Sequence, residues 1–188
     1  DAIEIFGGRV EPKYLLLTGT ADDDIDIDEG YYGTIANVLA YRYRADEGVV
    51  FSDDPRFFEI DGAKTNQTGH AVFDTKGATN VTINNVSMRT RVSLVSMGTV
   101  RDCAKAAINN AELFGASGSN LSNNSYTSGE CNNSPANVYT STPDTTTNFV
   151  TTEWKKENPN TPPVFKPNAK AFPGGTNWTT DWTIWRNN

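Results

Sequence analysis

The chain has 188 residues, 37% of them hydrophobic, and a formal net charge of -7. That length suits one domain with a sizeable core, or one repeat array with a tail, and argues against a second full domain. The acidic balance disfavours nucleic acid and anionic lipid surfaces, which need basic patches, and no stretch approaches the roughly 18 apolar residues of a membrane span; cations and neutral glycans fit better.

In chain order, short alternating segments predict strands over 2–6, 13–18, 24–28, 34–43, 56–60, 70–74, 79–83, 86–90, 92–96 and 106–114. The opening Asp1-Ala-Ile-Glu-Ile-Phe6 reads neither as a signal peptide nor as a capped start, but as the continuation of something longer. The third segment lies in Asp22-Asp-Asp-Ile-Asp-Ile-Asp-Glu29, six carboxylates in eight positions. Extended backbone sends Ile25 and Ile27 into a core and lines up Asp24, Asp26 and Asp28 outside, about 7 Å apart at two strand rises. Like charges held that close need a counter-ion, and a dense set of hard oxygens suits calcium. The expected ligands are Asp24, Asp26 and Asp28, with Asp22, Asp23 and Glu29 as neighbours and Asp61 one coil later completing the shell. The opposing reading is that strand aspartates merely discourage edge pairing and keep a flat surface soluble. The run lacks the central glycine and twelfth-position glutamate of an EF-hand.

A repeat runs through the first two thirds of the chain. Val10, Ile35, Ile60, Ile83 and Ile108 align at spacings of 25, 25, 23 and 25. Short alternating segments and Gly/Asn/Asp turns at that period predict a β-solenoid, one coil per repeat, over residues 1–115; a sandwich of similar short strands is the alternative. Asn84-Asn85 and Asn109-Asn110 fall at one phase of successive coils, as an asparagine ladder at a turn would.

Past Gly115 the pattern fades into Ser, Asn, Thr and Gly over 116–157, a loop-rich region that a Cys103–Cys131 disulfide would pin to the last coil. Such a bond implies an oxidising, extracellular or cell-surface setting; two unrelated buried thiols are the alternative. Prolines from 158 to 188 describe an extended arm that ends in Trp178, Trp182 and Trp185, whose spacing puts the indoles on one side of a short helix. They could stack on sugar rings, but a solenoid must hide its terminal apolar surface, so the favoured expectation is that they seal the last coil.

Asp1-Ala-Ile-Glu-Ile-Phe-Gly-Gly-Arg-Val10, Lys13-Tyr-Leu-Leu-Leu-Thr-Gly19 and Ala21-Asp-Asp-Asp-Ile-Asp-Ile-Asp-Glu-Gly-Tyr-Tyr-Gly33 resemble a group of secreted bacterial right-handed parallel β-helix surface proteins and lipoproteins; Phe172-Pro-Gly-Gly-Thr-Asn-Trp-Thr-Thr-Asp-Trp182 is similar to their tail. The resemblance implies an all-β, right-handed parallel β-helix of about five coils and a surface location, and it implies no reaction.

Because β-helices also host pectin-degrading enzymes, catalysis has to be weighed. A hydrolase needs two carboxyl groups, which Asp23, Asp24 and Asp26 could supply, but Gly69-His70-Ala71 and Arg89-Thr-Arg91 only approximate the remaining polygalacturonase motifs. A lyase would join calcium to a base such as Arg42, Arg44, Arg89 or Arg91 beside the acidic strand. No nucleophile elbow, Walker loop or dinucleotide fingerprint accompanies them. The sequence therefore favours a calcium-stabilised β-solenoid with a structural, adhesive or assembly role over a glycan hydrolase, lyase or sugar-binding module. Self-association through an open first coil and contact with surface glycans are the partners it suggests.

Overall fold

The computed structural model describes residues 1–42, 50–62, 79–101, 104–116, 124–125, 140–143, 148–153, 158 and 161–180. Ten strands alternate between two sheets. The first sheet takes β1 (Ile3–Phe6), β3 (Ile25–Asp28), β5 (Phe58–Asp61), β7 (Gly98–Arg101) and β9 (Asn124–Ser125) in that order. The second takes β2 (Lys13–Thr18), β4 (Tyr32–Arg42), β6 (Asn80–Thr90), β8 (Lys105–Gly115) and β10 (Thr140–Pro143), and every pairing in both sheets is parallel. Each odd strand and the even strand after it make one coil, so the described residues wind through five coils.

The interior explains why these segments form strands. Alternation turns every second side chain inward, and parallel in-register pairing stacks equivalents: Ile5, Ile27, Ile60 and Val100 in one sheet, Ile35, Ile83 and Ile108 in the other. Ile25, Ile27, Ile35, Ile60 and Ile83 are fully buried, each worth about 1.5–3 kcal/mol of burial. Ile60 therefore belongs to the opposite sheet from Ile35, and Val10 lies in no strand, which corrects the 25-residue alignment. Ile5 to Ile27 spans 22 residues, Ile27 to Ile60 spans 33, and Ile60 to Val100 spans 40, because the extra length is inserted between strands rather than into them.

Further corrections concern strand limits. The expected strands 79–83 and 86–90 are one strand, β6, and 92–96 is not a strand; β7 begins at Gly98, where a Cβ would lie 3.2 Å from Phe58 Cβ. The coils also continue past Gly115 through β9 and β10. The segment 70–74 lies outside the described residues.

β6 bends without ending because Asn85 adopts a left-handed backbone, φ 58°, as do Asn37 in β4 (58°) and Asn110 in β8 (50°). Asparagine tolerates that conformation better than other residues with a side chain, and its amide adds a ladder. Asn85 Nδ2 donates to Asn37 Oδ1 at 2.9 Å, and Asn110 Nδ2 donates to Asn85 Oδ1 at 2.8 Å. A parallel rung joins Asn109 to Asn84 at 2.9 Å. Tyr14, φ 61°, holds the same place in coil one. Asn85→Ala should lose about 2–3 kcal/mol, from backbone strain plus two ladder bonds, and Asn85→Gly should recover the strain part. Urea midpoints check this; equal losses for both variants would assign the whole effect to the ladder.

The chain then doubles back. β11 (Val150–Thr152) and β12 (Val164–Phe165) form an antiparallel pair, and a 3-10 turn follows at Pro173–Gly175. This arm lies on the outer face of the second sheet, where Phe149, Val150, Phe165, Ala169, Ala171 and Phe172 cover Leu16, Leu39, Tyr41 and Phe114. Glu112 Oε1 accepts from Ser87 Oγ at 2.6 Å and from the Lys170 amide at 2.8 Å, and Arg89 Nη2 donates to Glu153 at 2.6 Å. Arg91 also pairs with Glu153. Burial favours the neutral acid at Glu153, but the hydrogen bonds from Arg91 and Arg89 prevail and hold its carboxyl below the usual range.

Contrary to the expectation that the tryptophans seal the last coil, Trp178 stands edge-on to Tyr14 of the first coil, ring centres 5.7 Å apart. Trp182 and Trp185 lie outside the described residues. None of the helical segments among the described residues is long and apolar enough to cross a membrane.

Candidate functional site on the first sheet

Among the described residues the arm lies on the second sheet, and the acidic row belongs to the outer face of the first. Register puts Glu4, Asp26, Glu59 and Thr99 in one row. Phe6 and Asp28, then Asp61 and Arg101, follow in the next, with neighbouring rungs about 4.8 Å apart. Phe6 is 62% exposed.

The two ends of this face are neutralised differently. On coils three and four, Arg101 donates to both Asp61 oxygens, from Nε at 2.7 Å and from Nη2 at 2.5 Å, and pairs with Glu59. Arg56 reaches Glu59 at 3.1 Å and Asp54 at 2.8 Å. On coils one and two the acids meet each other instead: carboxylate oxygens of Asp1, Glu4 and Asp26 all lie within 4.8 Å of one another. Burial first, then the charges of Asp28 and Glu4, raise the Asp26 carboxyl to about 6, against partial relief from the terminal amine and Arg101. Its Oδ1 is buried without a hydrogen-bond partner.

A second group joins Asp1, Asp22 and Asp23 within the same 4.8 Å. Asp22 accepts from Ser52 Oγ at 2.5 Å, and Asp23 accepts from the Arg56 amide at 2.6 Å. Burial pushes the Asp23 carboxyl up to about 7 although Arg56 lowers it.

The structure redistributes the seven expected ligands. Asp26 and Asp28 face outward as the alternation requires. Asp24 does not: it lies just before β3 at the corner and turns inside, 3.2 Å from the fully buried Arg42, because a guanidinium enclosed there needs a carboxylate. Asp61 is occupied by Arg101, and Glu29 sits in a left-handed turn, φ 48°. Of the arginines proposed for a lyase, Arg42 is interior and pairs there with Asp24, and Arg89 and Arg91 serve the arm. Trp178 donates its indole N–H to the Ala171 carbonyl at 2.7 Å and packs on Phe172, so it is an anchor of the arm. Cys103, Cys131, His70 and Arg44 lie outside the described residues.

Glu4, Asp1, Arg56 and Arg101 were missed as members of the face. The signal for Glu4 was present: Ile3-Glu4-Ile5 repeats the parity of Ile25-Asp26-Ile27 exactly one 22-residue coil earlier.

Parallel strands wound into stacked coils around an aliphatic interior define a parallel β-helix. The chain belongs to the family of pectate-lyase-like β-helix domains, whose model matches residues 1–185. No curated protein and no solved structure shows a significant match to it.

Proposed function

We propose that the chain is a secreted or cell-surface β-solenoid with a structural or adhesive role, whose first two coils are clamped by calcium on the acidic face. The observation that carries this reading is the contrast across this face: arginines neutralise Glu59 and Asp61, whereas Asp1, Glu4 and Asp26 crowd together. Three carboxylates offer up to six hard oxygens, within calcium's demand, and Asp28 and Asp22 stand beside them.

The chain should melt several degrees higher with excess calcium than with chelator, and Asp26→Asn should abolish that response. Equal melting in both solutions would remove the ion from the proposal. Metal-free, Asp26 and Asp23 bind protons more tightly folded than unfolded, so their stabilising protonation is complete below about 4 and is lost as pH rises through about 6 and 7. The metal-free chain should therefore melt higher at acid than at neutral pH, and calcium should narrow the gap; a melting temperature that rises with pH in chelator would contradict the origin given for the shifts.

Light scattering on the same samples tests self-association through coil one, where Phe6, Val10 and Tyr14 are exposed beside the edge strands β1 and β2.

The family match favours a second reading, action on glycans. Asp26, raised toward neutrality, would donate a proton while Glu4 acts as the second carboxylate. Asp26→Asn would then abolish cleavage of a polysaccharide without lowering the melting temperature.

A further inference from the structure

Coil one departs from the others at the bend of the second sheet. Coils two, three and four place Asn37, Asn85 and Asn110 there in a left-handed backbone, with Asn110 donating to Asn85 and Asn85 to Asn37. The next acceptor in that direction would be an asparagine at position 14, the register neighbour of Asn37 in coil one. The chain has Tyr14 instead, with φ 61°, a bulky side chain on a backbone that asparagine and glycine adopt at far lower cost. The ladder therefore ends at Asn37.

A strained backbone kept where a better-suited residue exists points to a use for the side chain. Tyr14 is 51% exposed, and its ring meets that of half-buried Trp178 at an interplanar angle of 71°. Both rings are held from behind. The Trp178 indole N–H donates to the Ala171 carbonyl and its ring stands edge-on to Phe172, while Lys13 and Leu15 on either side of Tyr14 pair with Ala36 and Val38. Two fixed rings set steeply to each other make a pre-organised notch at the surface of coil one.

We infer that Tyr14 and Trp178 form a binding notch for one sugar ring of a neutral β-linked glucan. A pyranose whose substituents are all equatorial turns only C–H bonds to its two faces, which suits the flat ring of Tyr14; tyrosine and tryptophan give such contact area at low entropic cost. A net charge of -7 favours a neutral polymer over a polyuronate. A sugar ring matches one aromatic side chain in area, whereas a stable protein contact needs about 1,200–2,000 Å² of buried surface. Such binding rests on the adhesive role proposed above and gives it a ligand, and it involves neither the calcium clamp nor the acids of the first sheet.

The test is calorimetric titration of the whole chain with cellohexaose, together with urea unfolding, on wild type, Tyr14→Asn and Tyr14→Phe. Tyr14→Asn relieves the backbone and supplies Asn37 with an acceptor, so its urea midpoint should rise. Its affinity for cellohexaose should fall by about tenfold, the loss of one stacked ring. Tyr14→Phe keeps that ring and should bind as wild type does. A lowered midpoint with lost binding in Tyr14→Asn would make Tyr14 a structural partner of Trp178, and unchanged binding would move the site elsewhere; either overturns the inference, as does loss of binding in Tyr14→Phe. Wild type that binds no cellohexaose overturns the inference alone, and failure to adhere as well to a panel of glycan-coated and protein-coated surfaces would end the adhesive reading.

Discussion

Phe172→Ala should lower stability by about 3–5 kcal/mol and break the cooperativity of the solenoid, which is more than the deletion of one ring in a tail would suggest. Stacked coils ordinarily couple only to their neighbours, so a repeat array frays from its ends. Here the arm crosses that array. A line of rings runs from Phe114 of coil four through Phe149, Phe165, Phe172 and Trp178 to Tyr14 of coil one, each within 6.3 Å of the next. Polar bonds fix it between those points, with the Ala171 amide donating to Ser87 Oγ of coil three at 3.0 Å. Phe172 is buried and is the link by which the line reaches Trp178 and so the first coil. Hydrogen exchange read by mass spectrometry should show β1 and β2 amides exchanging much faster in the variant while β6 and β8 keep most of their protection. Uniform acceleration across all coils would mean that the arm adds stability without linking the ends.

Gly33→Ala is the second large effect expected, a loss of about 3 kcal/mol from overpacking and a broken hydrogen bond. A Cβ at position 33 would lie 2.6 Å from Tyr31 Oη, 2.9 Å from its Cζ and 3.0 Å from the Val10 carbonyl oxygen. Tyr31 has nowhere to move: its ring is fully buried and its hydroxyl donates to that carbonyl at 2.6 Å. The mechanism makes its own control. Tyr31→Phe alone should cost about 1 kcal/mol through the lost bond, yet in the Gly33→Ala background it should recover part of the lost stability by removing the nearest clashing atom. Additive losses in urea would show that the glycine acts through its backbone rather than through this contact.

Both effects arise at contacts that no local pattern announces, and the reason is physical. The alternation in Ile25-Asp26-Ile27-Asp28 and the recurrence of asparagine pairs at Asn84-Asn85 and Asn109-Asn110 are local patterns, decided by a strand's two-residue period and by one residue's tolerance of a left-handed backbone. They were enough to read a parallel solenoid, an inward aliphatic stack and an outward acidic row. Where a coil closes depends on inserted corners whose length varies, so a constant period placed Ile60 on the wrong sheet. The same limit applies to charge. Asp24 and Asp26 are equivalent by parity, yet one meets Arg42 inside the solenoid and the other meets Glu4 outside it.

The sequence by itself thus determined the periodic parts: the strands, the interior they share and the acidity of one face. Only the tertiary structure decided which acids were already answered by Arg42, Arg56 and Arg101, and that the arm binds coil four to coil one. Those outcomes depend on groups tens of residues apart meeting at hydrogen-bond distance, and neutralisation of a buried charge acts over distance in space rather than separation along the chain.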